Sequence, residues 1–346
     1  MANLFFLVSG ENPSLPFSEV RAILKAEGFV HHVLFELTQI LILEADSKCI
    51  ESITHRASLT RTCGLLIAYC KASTEEILKT IKGIDLTSYI ATGEDFAVRI
   101  RRIRGDSPEI NGLSLERKVG KIIFEAVSGV RVNLKNPKKT FVGILSDGRF
   151  IFGLKTAEIK ARKFAERGPS RTVFSHSAAM PPKIARCMVN LARSKAGDLV
   201  LDPFCGTGSF LVEAGLIGCR VIGFDVKLNM IKGSAQNLSA CGIEPEGLLV
   251  ADARVPPLPS NSIECVVTDP PYGTSTTTLG MRTTEVFESF LSAAYDFLKK
   301  GGRICLAAPK TINVGQIARD IGFKHEESHF IYIHRRLTRE IAVFTR

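Results

Sequence analysis

The chain has 346 residues, of which 45 are basic and 35 acidic, so its formal net charge is +10 at pH 7. It has no apolar run long enough to span a membrane, and no basic residues precede the first apolar stretch, which argues against a secretory signal. Nine cysteines without a Cys-x-x-Cys pair argue against a disulfide framework or a metal site. The length predicts two or three domains, and we expect a cytoplasmic protein without a metal ion.

The first 71 residues predict strands and helices in the order strand, helix, strand, strand, helix, strand. The predicted elements are residues 4–8, 18–27, 31–36, 40–44, 47–56 and 60–70. This order is that of a ferredoxin-like α+β domain, which we expect over residues 1–71. Nothing in it resembles a catalytic pattern, so its predicted role is that of a spacer or an interaction domain.

Residues 72–156 predict a second α+β domain, which carries most of the positive charge. Its predicted elements are helices 73–82 and 115–126 and strands starting at residue 96 and covering 131–133, 140–145 and 150–155. Between residues 93 and 171 there are 18 basic and 9 acidic side chains. Apolar and basic residues alternate from Phe96 to Arg101, which puts Arg99 and Arg101 on one strand face.

This charge indicates a nucleic-acid surface, although a solvated basic surface would have the same composition. The candidate nucleic-acid contacts are Arg99, Arg101, Arg102, Arg104, Lys138, Lys139 and Lys155. A linker is predicted over residues 157–174, with helix across the basic stretch 156–171. A further domain is predicted over residues 175–346, and its first helix covers residues 184–193.

A glycine-containing turn follows the apolar strand that ends at Asp202. Gly206 and Gly208 can adopt positive φ and let the backbone approach a ligand closely. The helix that starts after the turn offers free N–H groups. The turn lacks the third glycine of the dinucleotide fingerprint and the Gly-Lys-Ser/Thr of a phosphate-binding P-loop.

Four successive predicted strands end at or just before an aspartate, namely Asp202, Asp225, Asp252 and Asp269. Ligands of open α/β sheets bind at the carboxyl edge of the strands. Asp225, about 20 residues past the glycine turn, suits the hydroxyls of a ribose, and Asp252 can accept from an adenine amine. One such aspartate could be a helix N-cap, but four in register favour a ligand site.

The fourth aspartate begins the sequence Asp269-Pro270-Pro271-Tyr272, which we call the catalytic corner. Its two prolines restrict the backbone and hold the carbonyls in place. Asp269 can accept hydrogen bonds from an amine, and Tyr272 offers a flat ring for stacking. Alone, this tetrapeptide could also be an ordinary turn. Behind three other aspartates, it predicts a site for a planar exocyclic amine.

This set of motifs resembles the class I methyltransferases that use S-adenosylmethionine, in the group that methylates exocyclic amines. The resemblance implies a Rossmann-like, mostly parallel sheet. The C-terminal residues agree with it, because residues 301–307 predict a turn at Gly301 and a fifth strand, and residues 330–334 and 340–344 predict two last strands. Catalysis is assigned to Asp269, Pro270 and Tyr272. The implied cofactor-binding residues are His176, Asp202, Phe204, Cys205, Gly206, Thr207, Gly208, Asp225, Val226, Asp252, Ala253 and Asp269. For His176 and Ser177, a purely structural role before the next helix is the alternative.

The basic segment resembles a THUMP domain, which in its family binds the 3′ end of tRNA. Together with the ferredoxin-like domain and the catalytic corner, it resembles the archaeal and eukaryotic tRNA guanine-N2 methyltransferases that act on guanosine 10. The threonine-rich residues 273–278 are also similar to those of the archaeal members. A DNA adenine-N6 methyltransferase and a non-catalytic RNA-binding protein remain the alternatives.

A protein partner is implied by the predicted third strand of the methyltransferase domain, which contains Leu248, Leu249 and Val250. In this fold the strand lies at the edge of the sheet, where an uncharged apolar strand is prone to pair with other chains. The family resemblance implies a small zinc-binding activator protein that pairs with this edge. A heterodimer is therefore expected, unless the chain's own loops cover the strand.

Overall fold

The computed structural model describes residues 1–160, 162–168, 171–177, 179–272, 282–335 and 337–346. The threonine-rich stretch 273–278 lies outside the described residues. The chain folds into two compact units, which do not coincide with the predicted domain ranges. The first unit holds residues 1–13, 29–54 and 60–159, and the second holds 14–28, 55–59 and 160–346. The three domains and the linker proposed from the sequence stay a prediction.

The first unit is built on one eight-stranded sheet with the order β2-β3-β1-β4-β8-β7-β5-β6. Its strands are β1 (Ala2–Val8), β2 (His31–Leu37), β3 (Ile40–Ala45), β4 (Thr60–Lys71), β5 (Asp95–Arg102), β6 (Arg131–Val132), β7 (Lys139–Ser146) and β8 (Arg149–Glu158). The helices of the N-terminal half of the chain are α1 (Leu15–Ala26), α2 (Cys49–Arg56), α3 (Thr74–Lys82) and α4 (Gly112–Ala126), with a 3-10 turn at Leu86–Ser88. The predicted element order is found in the structure.

Two strands that the sequence assigned to different domains pair directly in this sheet. β4 and β8 run antiparallel from Thr62 opposite Glu158 to Lys71 opposite Arg149. A Cβ at Gly64 would meet the Leu154 carbonyl oxygen at 2.0 Å, so only glycine permits this approach. The prediction of helix from residue 156 was wrong at its start, because this pairing carries β8 on to Glu158. Helix α5 covers only Arg162–Ala165.

The second unit contains a seven-stranded sheet with the order β11-β10-β9-β12-β13-β15-β14. Its strands are β9 (Leu199–Asp202), β10 (Arg220–Asp225), β11 (Gly247–Val250), β12 (Ile263–Thr268), β13 (Leu298–Pro309), β14 (Lys324–His334) and β15 (Leu337–Thr345). Its further helices are α6 (Pro182–Leu191), α7 (Ser209–Gly215), α8 (Leu228–Ala240), α9 (Thr283–Phe297) and α10 (Val314–Ile321), with a 3-10 turn at Lys310–Ile312. β9 to β13 are parallel, and β15 runs antiparallel to both of its neighbours, β13 and β14.

The central strands β9 and β12 are buried on both faces, which explains why they are mostly apolar. Val200 packs with Met188 and Leu211 in a cluster on one face. The next residue, Leu201, packs with Phe287 and Phe290 on the other face, as the alternation of side chains along a strand requires. The predicted turn at Gly301 is a bulge within β13, since the strand begins at Leu298 and its register with β12 shifts there. No helix among the described residues is both long and apolar enough to cross a bilayer.

Candidate active site

The topology brings the four predicted aspartates to one edge of the second sheet. Asp202 and Asp225 are the last residues of β9 and β10, and Asp269 follows the end of β12. Asp252 lies two residues beyond β11. The strand order reverses between β9 and β12, and such a switch point opens a crevice for ligands at the carboxyl ends of the strands.

A cavity lies at this edge, and most of the predicted cofactor-binding residues line it. These are His176, Asp202, Phe204, Cys205, Gly206, Thr207, Asp225, Val226, Asp252, Ala253 and Asp269. Gly208, Pro270, Tyr272 and Ser177 are not among its lining residues. Sequence reasoning missed part of the wall, which also includes Met180, Phe210, Lys227, Met230, Arg254, Pro271 and Val286.

The glycine turn is shaped by two residues with positive φ. Gly206 has a φ of 48° and Gly208 a φ of 80°. At Gly208 a Cβ would also meet the Ser234 Oγ at 2.4 Å, so both conformation and space require glycine there. The Gly206 N–H donates to Asp225 Oδ2 at 3.1 Å, which ties the turn to the end of β10.

Asp202 is a buried carboxylate with one oxygen left over. Its Oδ1 accepts from Thr268 Oγ1 at 2.7 Å and from the Phe204 N–H at 3.2 Å. Its Oδ2 is buried, and no hydrogen-bond donor among the described residues reaches it. Burial raises the pKa of Asp202 to about 8, against the lowering effect of the Thr268 hydrogen bond. A buried acceptor of this kind indicates a ligand that brings a donor or a positive charge.

The other two cofactor-side aspartates already have protein partners. Asp225 Oδ1 accepts from the Lys227 N–H at 2.9 Å, in addition to the bond from Gly206 to Oδ2. Each carboxylate oxygen has two acceptor positions, so Asp225 can still receive ligand hydroxyls. Asp252 pairs with Arg254, whose Nε lies 2.9 Å from Oδ1, and these hydrogen bonds lower the pKa of Asp252.

The catalytic corner places a second unpartnered carboxylate oxygen at the cavity. Asp269 Oδ1 is buried and has no hydrogen-bond partner within the ranges that the structure describes. Asp269 Oδ2 lies 3.5 Å from Arg339 Nη2, and Arg339 Nε donates to the Tyr272 hydroxyl at 2.6 Å. Burial raises the pKa of Asp269 to about 6, while Arg339 and Tyr272 act to lower it. Arg339 was missed from the sequence because it comes from β15, far along the chain.

The side chains predicted to contact nucleic acid lie in the first unit, and they differ in exposure and in how many protein contacts they make. Arg101, Arg104 and Lys138 are exposed. The Arg99 guanidinium donates to the Val98 and Leu134 carbonyls, and that of Arg102 donates to the Ile110 carbonyl. Lys139 is partly buried, and Lys155 pairs with Glu158 at 3.0 Å. The exposed side chains are therefore the better probes of RNA binding, and the assignment of the whole set stays a prediction.

Comparison with known proteins gives consistent matches along the chain. A THUMP domain matches residues 71–152, and an RMKL-like methyltransferase domain matches residues 169–339. The chain is 36% identical over 343 residues to the tRNA (guanine(10)-N2)-dimethyltransferase of Methanothermobacter thermautotrophicus, with 99% of each chain covered. The protein of that name from Pyrococcus abyssi is 34% identical, with 83% of this chain and 84% of that one covered. TrmN from Thermus thermophilus has a similar fold, with a TM-score of 0.56 at 20% identity and 99% of each chain covered.

Proposed function

The chain belongs to the tRNA (guanine(10)-N2)-dimethyltransferase family, and we propose that it methylates the exocyclic N2 amine of a guanosine in tRNA with S-adenosylmethionine. Guanosine 10 is the proposed target, with one or two methyl groups added in a cytoplasmic reaction. The observation that carries the proposal is Asp269 Oδ1 beside the cavity, which is buried and has no hydrogen-bond partner among the residues that the structure describes. It is an acceptor suited to an amine of the substrate.

The residues at the cavity fit the chemistry of S-adenosylmethionine. The unpartnered Asp202 Oδ2 suits the ammonium of the methionine moiety, and Asp225 suits the ribose hydroxyls. Asp252 is proposed to accept from the adenine amine while it stays paired with Arg254. When bound, the cofactor supplies a methyl group on a positively charged sulfur and leaves as S-adenosylhomocysteine.

The protein's part in the reaction is to hold the amine in position. Guanine N2 is a weak nucleophile, because its lone pair is delocalised into the ring. Asp269 Oδ1 and the Pro270 carbonyl each accept one N–H, which directs the remaining lobe of the nitrogen towards the methyl group. Both acceptors also offset the positive charge that develops on nitrogen. Above a pH of about 6 Asp269 is ionised, and either it or solvent then takes the proton.

The guanine has to leave its base-paired helix to reach the cavity. The Tyr272 ring is the proposed stacking partner, and its hydroxyl is held by Arg339. Incubating the purified chain with radiolabelled S-adenosylmethionine and either tRNA or duplex DNA tests the substrate class. We expect label in tRNA alone. Label in the DNA would favour an adenine-N6 methyltransferase, and calorimetry without any cofactor binding would favour a non-catalytic protein.

Replacement of the proposed ribose ligand should weaken cofactor binding. Asp225→Ala removes a charged acceptor, and hydrogen bonds to charged groups contribute about 1.5–3 kcal/mol, which corresponds to roughly 10- to 150-fold in Kd. The measurement is calorimetric titration with S-adenosylhomocysteine. Asp198→Ala is the matched control, since Asp198 caps a loop before β9 and does not line the cavity. An unchanged Kd for the Asp225 variant would remove this residue from the site.

Loss of the exposed basic side chains in the first unit should weaken tRNA binding. The association constant for tRNA falls as salt rises. Each phosphate ion pair that is lost with Arg101, Arg104 or Lys138 should make the slope of log K against log salt less steep by roughly 0.7–0.9. The triple Ala variant is compared with Arg149→Ala, an exposed arginine outside the proposed set. A slope that equals that of the wild type would show that these three side chains do not face RNA. Removing the 3′ single strand of the tRNA should reduce activity of the wild type as well.

A small zinc-binding activator protein is proposed to pair with β11. This strand lies at the edge of the sheet, and among the described strands it pairs with β10 alone. Leu249 and Val250 are 37% and 54% exposed, while Leu248 packs against the core. An exposed apolar edge of this kind favours strand addition by a partner.

Co-expression with the activator should therefore raise the yield of soluble protein and its specific activity. Leu249→Lys should abolish both gains, because it places a charge in the proposed interface. Val33→Lys is the control, since Val33 is an exposed residue of β2, the edge strand of the other sheet. Full activity of the isolated chain, with no response to the activator, would contradict the proposed heterodimer.

A further inference from the structure

Arg339 joins three parts of the second unit that the chain keeps far apart. It lies in β15, opposite Pro309 of β13, so the antiparallel register brings it to the edge where the parallel strands end. Its Nε donates to the Tyr272 hydroxyl at 2.6 Å, and its Nη2 lies 3.5 Å from Asp269 Oδ2. Its Nη1 lies 3.5 Å from the Met180 sulfur in the cavity wall.

These contacts divide the two oxygens of Asp269 between different tasks. Oδ2 faces the guanidinium, whereas Oδ1 is buried with no partner in the described part of the chain. The side chains of Arg339 and Asp269 are only 15% and 16% exposed, so water screens their attraction weakly. A planar guanidinium that touches a carboxylate and a phenol at once fixes both groups more firmly than a single contact would.

We infer that Arg339 is a positioning residue of the methyl transfer, which holds Asp269 Oδ2 and the Tyr272 hydroxyl so that Asp269 Oδ1 is presented to the substrate amine. This inference rests on the proposed function for its substrate. It assigns to β15 a direct part in the geometry of the catalytic corner. Without Arg339, Asp269 Oδ2 and the Tyr272 hydroxyl lose the guanidinium that they share.

Arg339 also favours the ionised form of Asp269, which burial disfavours. The titratable and charged groups that line the cavity together with Asp269 are His176, Asp202, Asp225, Lys227, Asp252 and Arg254, and Tyr272 and Arg339 contact its carboxylate. Burial is the largest influence and raises the pKa of Asp269, whereas Arg339 and the Tyr272 hydrogen bond lower it. Removal of Arg339 should therefore raise the pKa of Asp269 by about one pH unit or more. A protonated Asp269 donates a hydrogen bond instead of accepting one.

The test compares Arg339→Gln and Arg339→Lys with the wild type in steady-state methylation of tRNA over a range of pH. We expect Arg339→Gln to lower kcat about 10- to 100-fold and to move the acid limb of the pH profile upwards, with the Kd for S-adenosylhomocysteine within about three-fold. Lysine keeps the positive charge but cannot contact Asp269 and Tyr272 at once. In Arg339→Lys the acid limb should therefore lie close to its wild-type position, while kcat should stay below the wild-type value. Arg319→Gln, which removes an equal charge at an exposed position of α10, should change neither kcat nor the acid limb.

A second measurement does not depend on turnover. Carboxyl 13C NMR titration of the cofactor-bound protein, with the Asp269 signal assigned by its loss in Asp269→Asn, should show a higher pKa in Arg339→Gln than in the wild type. An unshifted Asp269 titration, or an unshifted acid limb with kcat within two-fold of the wild type, would overturn the inference. An inactive wild type that still shows the Asp269 shift would instead contradict the proposed function and leave the role of Arg339 supported.

Discussion

Asp269→Ala should lower the rate of tRNA methylation by about 10²-fold or more, while the affinity for the cofactor stays within a few-fold. The reason is the division of tasks at the sheet edge. In the proposed site, Asp269 offers the amine an acceptor that has no partner among the described residues, whereas Asp202 and Asp225 are proposed ligands of the cofactor. Single-turnover methylation measures the rate, and calorimetry with S-adenosylhomocysteine measures the affinity.

Asp269→Asn is the matched variant, since it keeps the shape and removes the charge. Its amide still offers one oxygen, so we expect a smaller loss of rate than with alanine and no acid limb near pH 6. Retention of more than roughly a tenth of the wild-type rate in Asp269→Ala would rule out a catalytic positioning role for this residue.

Asp202→Asn should change the pH dependence of stability and weaken cofactor binding together. Burial raises the pKa of Asp202 to about 8 in the folded protein, so the folded state holds a proton that the unfolded state loses near pH 4. The cofactor-free wild type therefore loses stability as pH rises from about 4 to 8, by an amount on the order of a few kcal/mol from this group. Asparagine does not titrate, so the variant should lack this part of the slope.

Scanning calorimetry of both proteins between pH 5 and 8, without cofactor, measures the difference. The melting temperature of the variant should fall less with rising pH than that of the wild type. Because the neutral amide cannot form an ion pair with the methionine ammonium, the Kd for the cofactor should rise by roughly 10-fold or more. Identical pH slopes in the two proteins would show that Asp202 is not protonated in the cofactor-free fold.

The sequence was sufficient for the parts of the site that depend on local pattern. A buried strand followed by an acid is visible as an apolar run that ends in aspartate, and this pattern predicted the positions of Asp202, Asp225 and Asp269. The parallel arrangement of those strands then follows from the helices between them. The two glycines of the turn were predicted in the same way, from their need for positive φ.

The missing parts depend on pairing between distant segments. Arg339 reaches Asp269 only because β15 runs antiparallel beside β13. The register of that pair cannot be predicted from the sequence of either strand alone. A basic residue at the start of the last antiparallel strand was the available signal. In the same way, β8 pairs with β4 of another predicted domain, so residues 156–158 are strand where a helix was predicted.

Methylation of N2 of a guanosine in tRNA is tested most directly on the product. Unmodified tRNA is methylated in vitro and digested with nucleases, and the added mass is located by mass spectrometry. We predict N2-methylguanosine or N2,N2-dimethylguanosine at position 10, and none with Asp269→Ala. Methyl groups on another base, or no modification by a chain that binds the cofactor and the tRNA, would contradict the account.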